Sequence, residues 1–103
     1  MTSAAQREHR LHQVHSGQQI DGFIVGALLA EGGMARLYRV TKRGIKSPLV
    51  MKVPRLEHGA PVSALSGFEN ELRILERLKG PHVPRLIGHG DLRHTPYLVM
   101  EYL

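Results

Sequence analysis

Beyond a polar beginning, the chain alternates short apolar runs with Gly- or Pro-containing breaks, and the period of its apolar positions changes once. The run over 20–29 (IDGFIVGALL) is rich in Ile, Val and Leu and breaks at Ala30-Glu31-Gly32-Gly33, which predicts a strand followed by a tight turn. A second strand is expected over 35–41, Lys42-Arg43-Gly44 reads as the next turn, and 48–53 as a third strand closed by Pro54. These three make an antiparallel meander. Past the Gly- and Pro-containing stretch 57–61, the segment 62–79 places Phe68, Leu72, Leu75 and Leu78 at offsets of 0, 4, 7 and 10, the spacing of one apolar stripe on a helix. Gly80-Pro81 stops it, and two short strands, 85–90 and 96–102, flank the polar turn 91–95. The pattern predicts an α+β fold of five strands and one helix. Residues 1–19 carry Leu11 and Val14 as their only sizeable apolar side chains after Met1, which predicts a mobile tail and a folded part over 20–103. His9, His12 and His15 recur in that tail, and a solvated tail explains them better than a metal site.

Two charges stand where apolar residues are expected. At 100° per residue, Glu71 falls inside the helical stripe between Leu75 and Leu78, whereas Glu69 and Glu76 lie at its edge and Arg73 and Arg77 face outward. A desolvated carboxylate costs several kcal/mol unless a cation meets it. Lys52 is the candidate: the strand period puts Leu49, Met51 and Val53 on one face and Val50 and Lys52 on the other. The alternative is a narrower stripe, with Glu71 at its rim and Lys52 reaching to water. The Gly32-Gly33 pair has two readings as well, a turn that needs positive φ or a loop that lets a phosphate approach the backbone, and the turn is the commoner cause. No G-K-[ST] follows, and the glycines lead into a strand, which excludes a Walker loop and a Rossmann dinucleotide site.

Composition narrows the class further. The 103 residues contain no Cys, so a disulfide scaffold and any Cys-ligated zinc site are excluded. No apolar run approaches the roughly 18 residues of a membrane span, and the N-terminus lacks the pattern of a secretory signal, so the expected compartment is the cytoplasm. The net charge of +5 is modest. Arg36, Arg39, Lys42, Arg43 and Lys46 form a positive stretch, but only Tyr38 is interleaved as an aromatic platform; a solvated hairpin is expected, without specific nucleic-acid binding.

Together the pieces resemble the N-terminal lobe of a protein kinase, most nearly the bacterial serine/threonine kinases of the eukaryotic-like kind. Over 20–103 the elements come in the family's order: 29–38 (LAEGGMARLY) resembles the glycine-rich loop, Leu49-Val50-Met51-Lys52 the V-A-I-K strand, and Phe68-Glu69-Asn70-Glu71-Leu72 the start of the C-helix. Residues 97–103 (YLVMEYL) resemble the fifth strand, with Met100 in the gatekeeper position and the hinge after it. The resemblance implies that Gly32 and Gly33, with Ala30, Glu31, Met34 and Ala35 around them, cover the phosphates of ATP. It implies that Lys52 holds the α- and β-phosphates and Glu71 orients Lys52, these two being the catalytic residues of the lobe. It also implies that Leu29, Leu37, Val50 and Met100 wall the adenine and that backbone groups at Glu101 and Leu103 bond its edge.

The departures bear on affinity. Ala30 and Ala35 stand at the first and third glycines of G-x-G-x-x-G, Val50 replaces the alanine of V-A-I-K, and Leu37 replaces a valine. Crowding of this sort costs ~1 to 3 kcal/mol where a sheet cannot relax. The residues stop at the hinge, so the expectation is an N-terminal kinase lobe whose catalytic loop, Mg²⁺ ligands and protein-substrate surface belong to a C-terminal lobe beyond Leu103. Asp91 lies in a turn and no second carboxylate is spaced to share a metal with it. The chain by itself is therefore expected not to transfer phosphate, and its uncovered lobe face to favour self-association. The competing function is a stand-alone kinase-like or pseudokinase-like binding module.

Overall fold

A computed structural model of the chain describes residues 12–56, 62–77 and 84–102. Its sheet has six strands, β1 (Gln19–Ile20), β2 (Phe23–Glu31), β3 (Ala35–Lys42), β4 (Ile45–Pro54), β5 (Leu86–His89) and β6 (Leu98–Glu101), ordered β1-β2-β3-β4-β6-β5 with every neighbour antiparallel. One helix, α1 (Val62–Arg77), joins β4 to the last two strands. The predicted five strands become six because Asp21-Gly22 interrupts the first run. Both residues have positive φ (51° and 87°), so the chain reverses and pairs Ile20 with Phe23 and Gln19 with Ile24. An Asp-Gly pair between apolar residues is a strong signal for such a turn. Arg43-Gly44 acts likewise, with Gly44 at φ 88°, and pairs Lys42 with Ile45, which lengthens β4 beyond the predicted 48–53. Pro48, which has no N–H to give, falls within the irregularity of the β3–β4 register.

The strand period distributes β4 as expected. Leu49, Met51 and Val53 enter a core with Phe23, Val25, Tyr38, Val40, Tyr97 and Val99. On the other face Phe68 and Leu72 of α1 pack with Leu98, supported by Leu86 and Leu92. Leu75 and Leu78, the rest of the predicted stripe, lie outside the described side chains, as do His9 and Leu11.

The tail expected over 1–19 is corrected for 12–19. Val14 is fully buried in the first core, the Gly17 N–H donates to the Val25 carbonyl, and the Ser16 hydroxyl donates to the Gly26 carbonyl. The Gln13 side chain spans the exit of β4, its amide donating to the Pro54 carbonyl at 3.0 Å and its carbonyl accepting from the Leu56 N–H at 2.7 Å. One valine supplies the apolar anchor, and the polar residues around it bond to the backbone. Composition alone counted them as solvated. The Asp91 turn is held by its own carboxylate, which accepts from the Arg93 N–H at 2.9 Å and faces His94 Nδ1 at 2.8 Å. These hydrogen bonds, the Arg93 amide first and His94 second, hold the Asp91 carboxyl below the usual carboxylate range.

Candidate functional site

Lys52 and Glu71 meet. Lys52 lies mid-strand, opposite Leu37 on β3 and Leu98 on β6, and Glu71 stands one helical turn after Phe68. Packing of Phe68 and Leu72 against Leu98 therefore lowers Glu71 toward the strand that carries Lys52. The Nζ atom is 2.9 Å from Oε1 and 2.7 Å from Oε2 of Glu71, so one ammonium bridges both carboxylate oxygens. The two side chains are 31% and 33% exposed. At that exposure the pair adds about 1 kcal/mol or less to stability, and its main consequence is to fix where the ammonium points.

The ammonium sits where two clefts join. One, of about 370 Å³, is lined by Ala30, Gly32, Gly33, Met34, Ala35, Leu37 and Lys52. The other, of about 250 Å³, runs between Met34, Ala35 and Lys52 and the helix residues Gly67, Phe68 and Glu71. The glycine turn thus roofs a space whose floor carries the fixed cation. Neither Gly32 nor Gly33 has positive φ, a Cβ on Gly32 would meet nothing nearer than the Ala35 carbonyl at 3.8 Å, and one on Gly33 would meet nothing within 4 Å. Gly90 differs sharply: a Cβ there would lie 2.2 Å from the Thr95 carbonyl. The turn between β2 and β3 does not itself require glycine, so the reading of this pair as turn geometry loses its physical ground.

The turn is braced from beside. Glu31, predicted for the loop, is exposed and accepts from Arg36 Nε at 2.6 Å across the β2–β3 pair, and Arg55 Nη1 lies 3.7 Å from its other oxygen. Arg55 Nη1 also donates to the Gly32 carbonyl at 2.9 Å, and the Arg55 N–H to the Met34 carbonyl. Arg55 was not among the residues the sequence singled out; its signal is only that it is the first residue past the Pro54 that closes β4.

The predicted adenine wall is placed unevenly. Leu37 lines the larger cleft; Val50 and Met100 pair across β4 and β6 and are 7% and 8% exposed. Leu29 is 43% exposed and lies within a register shift, where Leu28 pairs with Tyr38 and Ala30 with Leu37, so it is the extra residue of a bulge and not part of the cleft lining. The Glu101 N–H donates to the Arg85 carbonyl, and Leu103 lies outside the described residues. The positive stretch is partly spent within the fold, Arg36 on Glu31 and Lys42 over the Phe23 ring at 4.5 Å. Among the described residues no three His, Asp or Glu side chains gather as metal ligands, and no helix is long and apolar enough to cross a membrane.

No protein-family model matches the chain. Its sequence is similar to the receptor-like protein kinase THESEUS 1 of Arabidopsis thaliana, 34% identical over 82 residues that are 79% of this chain and 9% of that protein. It is also similar to the serine/threonine-protein kinase ATG1 of Komagataella pastoris, 27% identical over 85 residues, 82% of this chain and 11% of that one. The chain thus spans about a tenth of the length of these relatives. In structure it matches the PknI kinase domain of Mycobacterium tuberculosis with a TM-score of 0.62 and 24% identity, covering 87% of this chain and 36% of that domain. The sequence relatives are plant and fungal kinases, and the structural match is a bacterial kinase domain. The chain is a protein kinase-like domain with the fold of the kinase N-terminal lobe.

Proposed function

We propose that the chain is the ATP-binding lobe of a serine/threonine protein kinase, with the triphosphate under the glycine turn and its α- and β-phosphates on Lys52. The observation that carries this reading is the Lys52 ammonium, bridged by both oxygens of Glu71 at the junction of two clefts and roofed by glycines that the turn does not require. A fixed cation beneath accessible backbone suits an oligophosphate, because charge and N–H donors then converge on one oxyanion cluster with little reorganisation. Leu37 supplies apolar surface toward the base, and the Glu101 carbonyl is the group at that residue left for a base edge once its N–H has met Arg85.

Phosphoryl transfer also needs a base for the substrate hydroxyl and carboxylates for Mg²⁺. The metal and the protein substrate are assigned to a second lobe, and the 103 residues alone to nucleotide binding. The face that a second lobe would cover is the surface through which the lobe self-associates. The competing reading, a kinase-like binding module, draws on Val50 and Met100, which are nearly buried where the adenine is expected to lie. Calorimetric titration of the chain with Mg·ATP separates the two: saturable binding lost in Lys52→Met supports the nucleotide reading, and no heat at millimolar nucleotide supports the module.

A further inference from the structure

The glycine turn connects Glu31 to Ala35 through Gly32, Gly33 and Met34, and a Cβ on either glycine would meet no side chain within 4 Å. A Gly-Gly peptide in open space turns over at low cost, since neither end carries a Cβ. What bears on it in this fold is Arg55. Its Nη1 donates to the Gly32 carbonyl at 2.9 Å and faces Glu31 Oε1 at 3.7 Å, while its own N–H holds the Met34 carbonyl at 2.9 Å. The peptide is planar and trans, so a fixed Gly32 carbonyl directs the Gly33 N–H to the opposite side, away from the Arg55 guanidinium.

Arg55 is itself held. The Gln13 side chain grips the peptide groups on either side of it, the Pro54 carbonyl at 3.0 Å and the Leu56 N–H at 2.7 Å. Gln13 lies beside Val14, which anchors the N-terminal strap in the core, and the His12 N–H donates to the His94 carbonyl in the β5–β6 turn. A continuous set of bonds runs from the strap to the exit of β4 and on to the glycine turn.

We infer that Arg55 is a positioning residue that sets the orientation of the Gly32–Gly33 peptide, and that Gln13 of the N-terminal strap holds Arg55 in place to do so. This rests on the reading of the turn as a phosphate cover. The Gly33 N–H then serves as a donor to the ligand's phosphates, and its direction is chosen by a guanidinium on the far side of the same peptide. Arg55→Ala frees the peptide, and Gln13→Ala frees Arg55, with the same consequence in smaller measure.

Two readouts on the full 103-residue chain test it. Without nucleotide, amide hydrogen exchange is followed at Gly32, whose N–H donates to the Ala35 carbonyl at 2.9 Å, and at core amides such as Met51 and Val99. Arg55→Ala is expected to speed exchange at Gly32 by about fivefold, the effect of one hydrogen bond, with the core amides unchanged and Arg55→Lys in between. Affinities for ATP and for adenosine are then compared: ATP weakens about fivefold in Arg55→Ala while adenosine holds its affinity, because only the phosphates meet the turn. Unchanged exchange at Gly32, or equal loss of ATP and adenosine binding, overturns the inference. A wild-type chain that ignores ATP but shows the exchange effect refutes the nucleotide reading and supports the role of Arg55 in the turn.

Discussion

Replacing Val14 by alanine removes two methyl carbons from a side chain with no exposed surface, at the point where the N-terminal strap enters the core beside Phe23, Val25 and Val53. Transfer of those carbons to water is worth ~0.8 kcal/mol each, and a cavity that the sheet cannot close adds about 1 kcal/mol more, so the loss is about 2 to 3 kcal/mol. In a domain of this size each kcal/mol moves the melting midpoint by roughly 4 to 8 °C, which places the midpoint of Val14→Ala about 10 °C or more below that of the parent. Thermal unfolding followed by circular dichroism measures it, with His15→Ala, an exposed neighbour, as the control expected to stay within about 0.5 kcal/mol. A Val14→Ala midpoint within about 2 °C of the parent would refute the assignment of the strap to the core.

Gly32→Ala and Gly33→Ala are expected to leave the melting midpoint near that of the parent while weakening ATP binding, since no Cβ clash awaits either; Gly90→Ala is expected to unfold the domain, because its Cβ meets backbone at 2.2 Å. Burial first, and the hydrogen bond to Asp21 second, push the Tyr97 hydroxyl well above the tyrosine value of 10.0. From about pH 10 the unfolded chain gives up a proton that native Tyr97 keeps, so stability is constant below that pH and falls above it, and denaturant melts between pH 9 and 11.5 should show a smaller fall in Tyr97→Phe. Incubation of the 103-residue chain with radiolabelled ATP, Mg²⁺ and a generic protein substrate is expected to transfer no more phosphate than Lys52→Met; transfer above that control would place a complete catalytic apparatus within these residues.

The parts of the fold legible in the sequence are those governed by a single period. Alternation along 48–53 sorted Leu49, Met51 and Val53 from Lys52, and the 100° step placed Glu71 over the same strand; together they anticipated the ion pair. What stayed hidden depended on single residues acting against their surroundings. Asp21-Gly22 sat inside an apolar run and was absorbed into it, although its positive φ values divide that run into β1 and β2. Val14 was outweighed by its polar neighbours, yet one side chain suffices to anchor a strap whose remaining groups bond to backbone. The bulge at Leu29 leaves an expected wall residue exposed, and a register shift leaves no trace in hydrophobic spacing. Arg55 acts through a guanidinium on a backbone carbonyl across a turn, a contact that no sequence period encodes.

The central claim is that Lys52, held by Glu71 beneath the glycine turn, receives a nucleoside triphosphate. Its most direct test is calorimetric titration of the chain with Mg·ATP beside Lys52→Met and Glu71→Gln. Saturable one-to-one binding that Lys52→Met abolishes and Glu71→Gln weakens is the result the structure predicts; absence of binding, or affinity unaffected by either substitution, would contradict it.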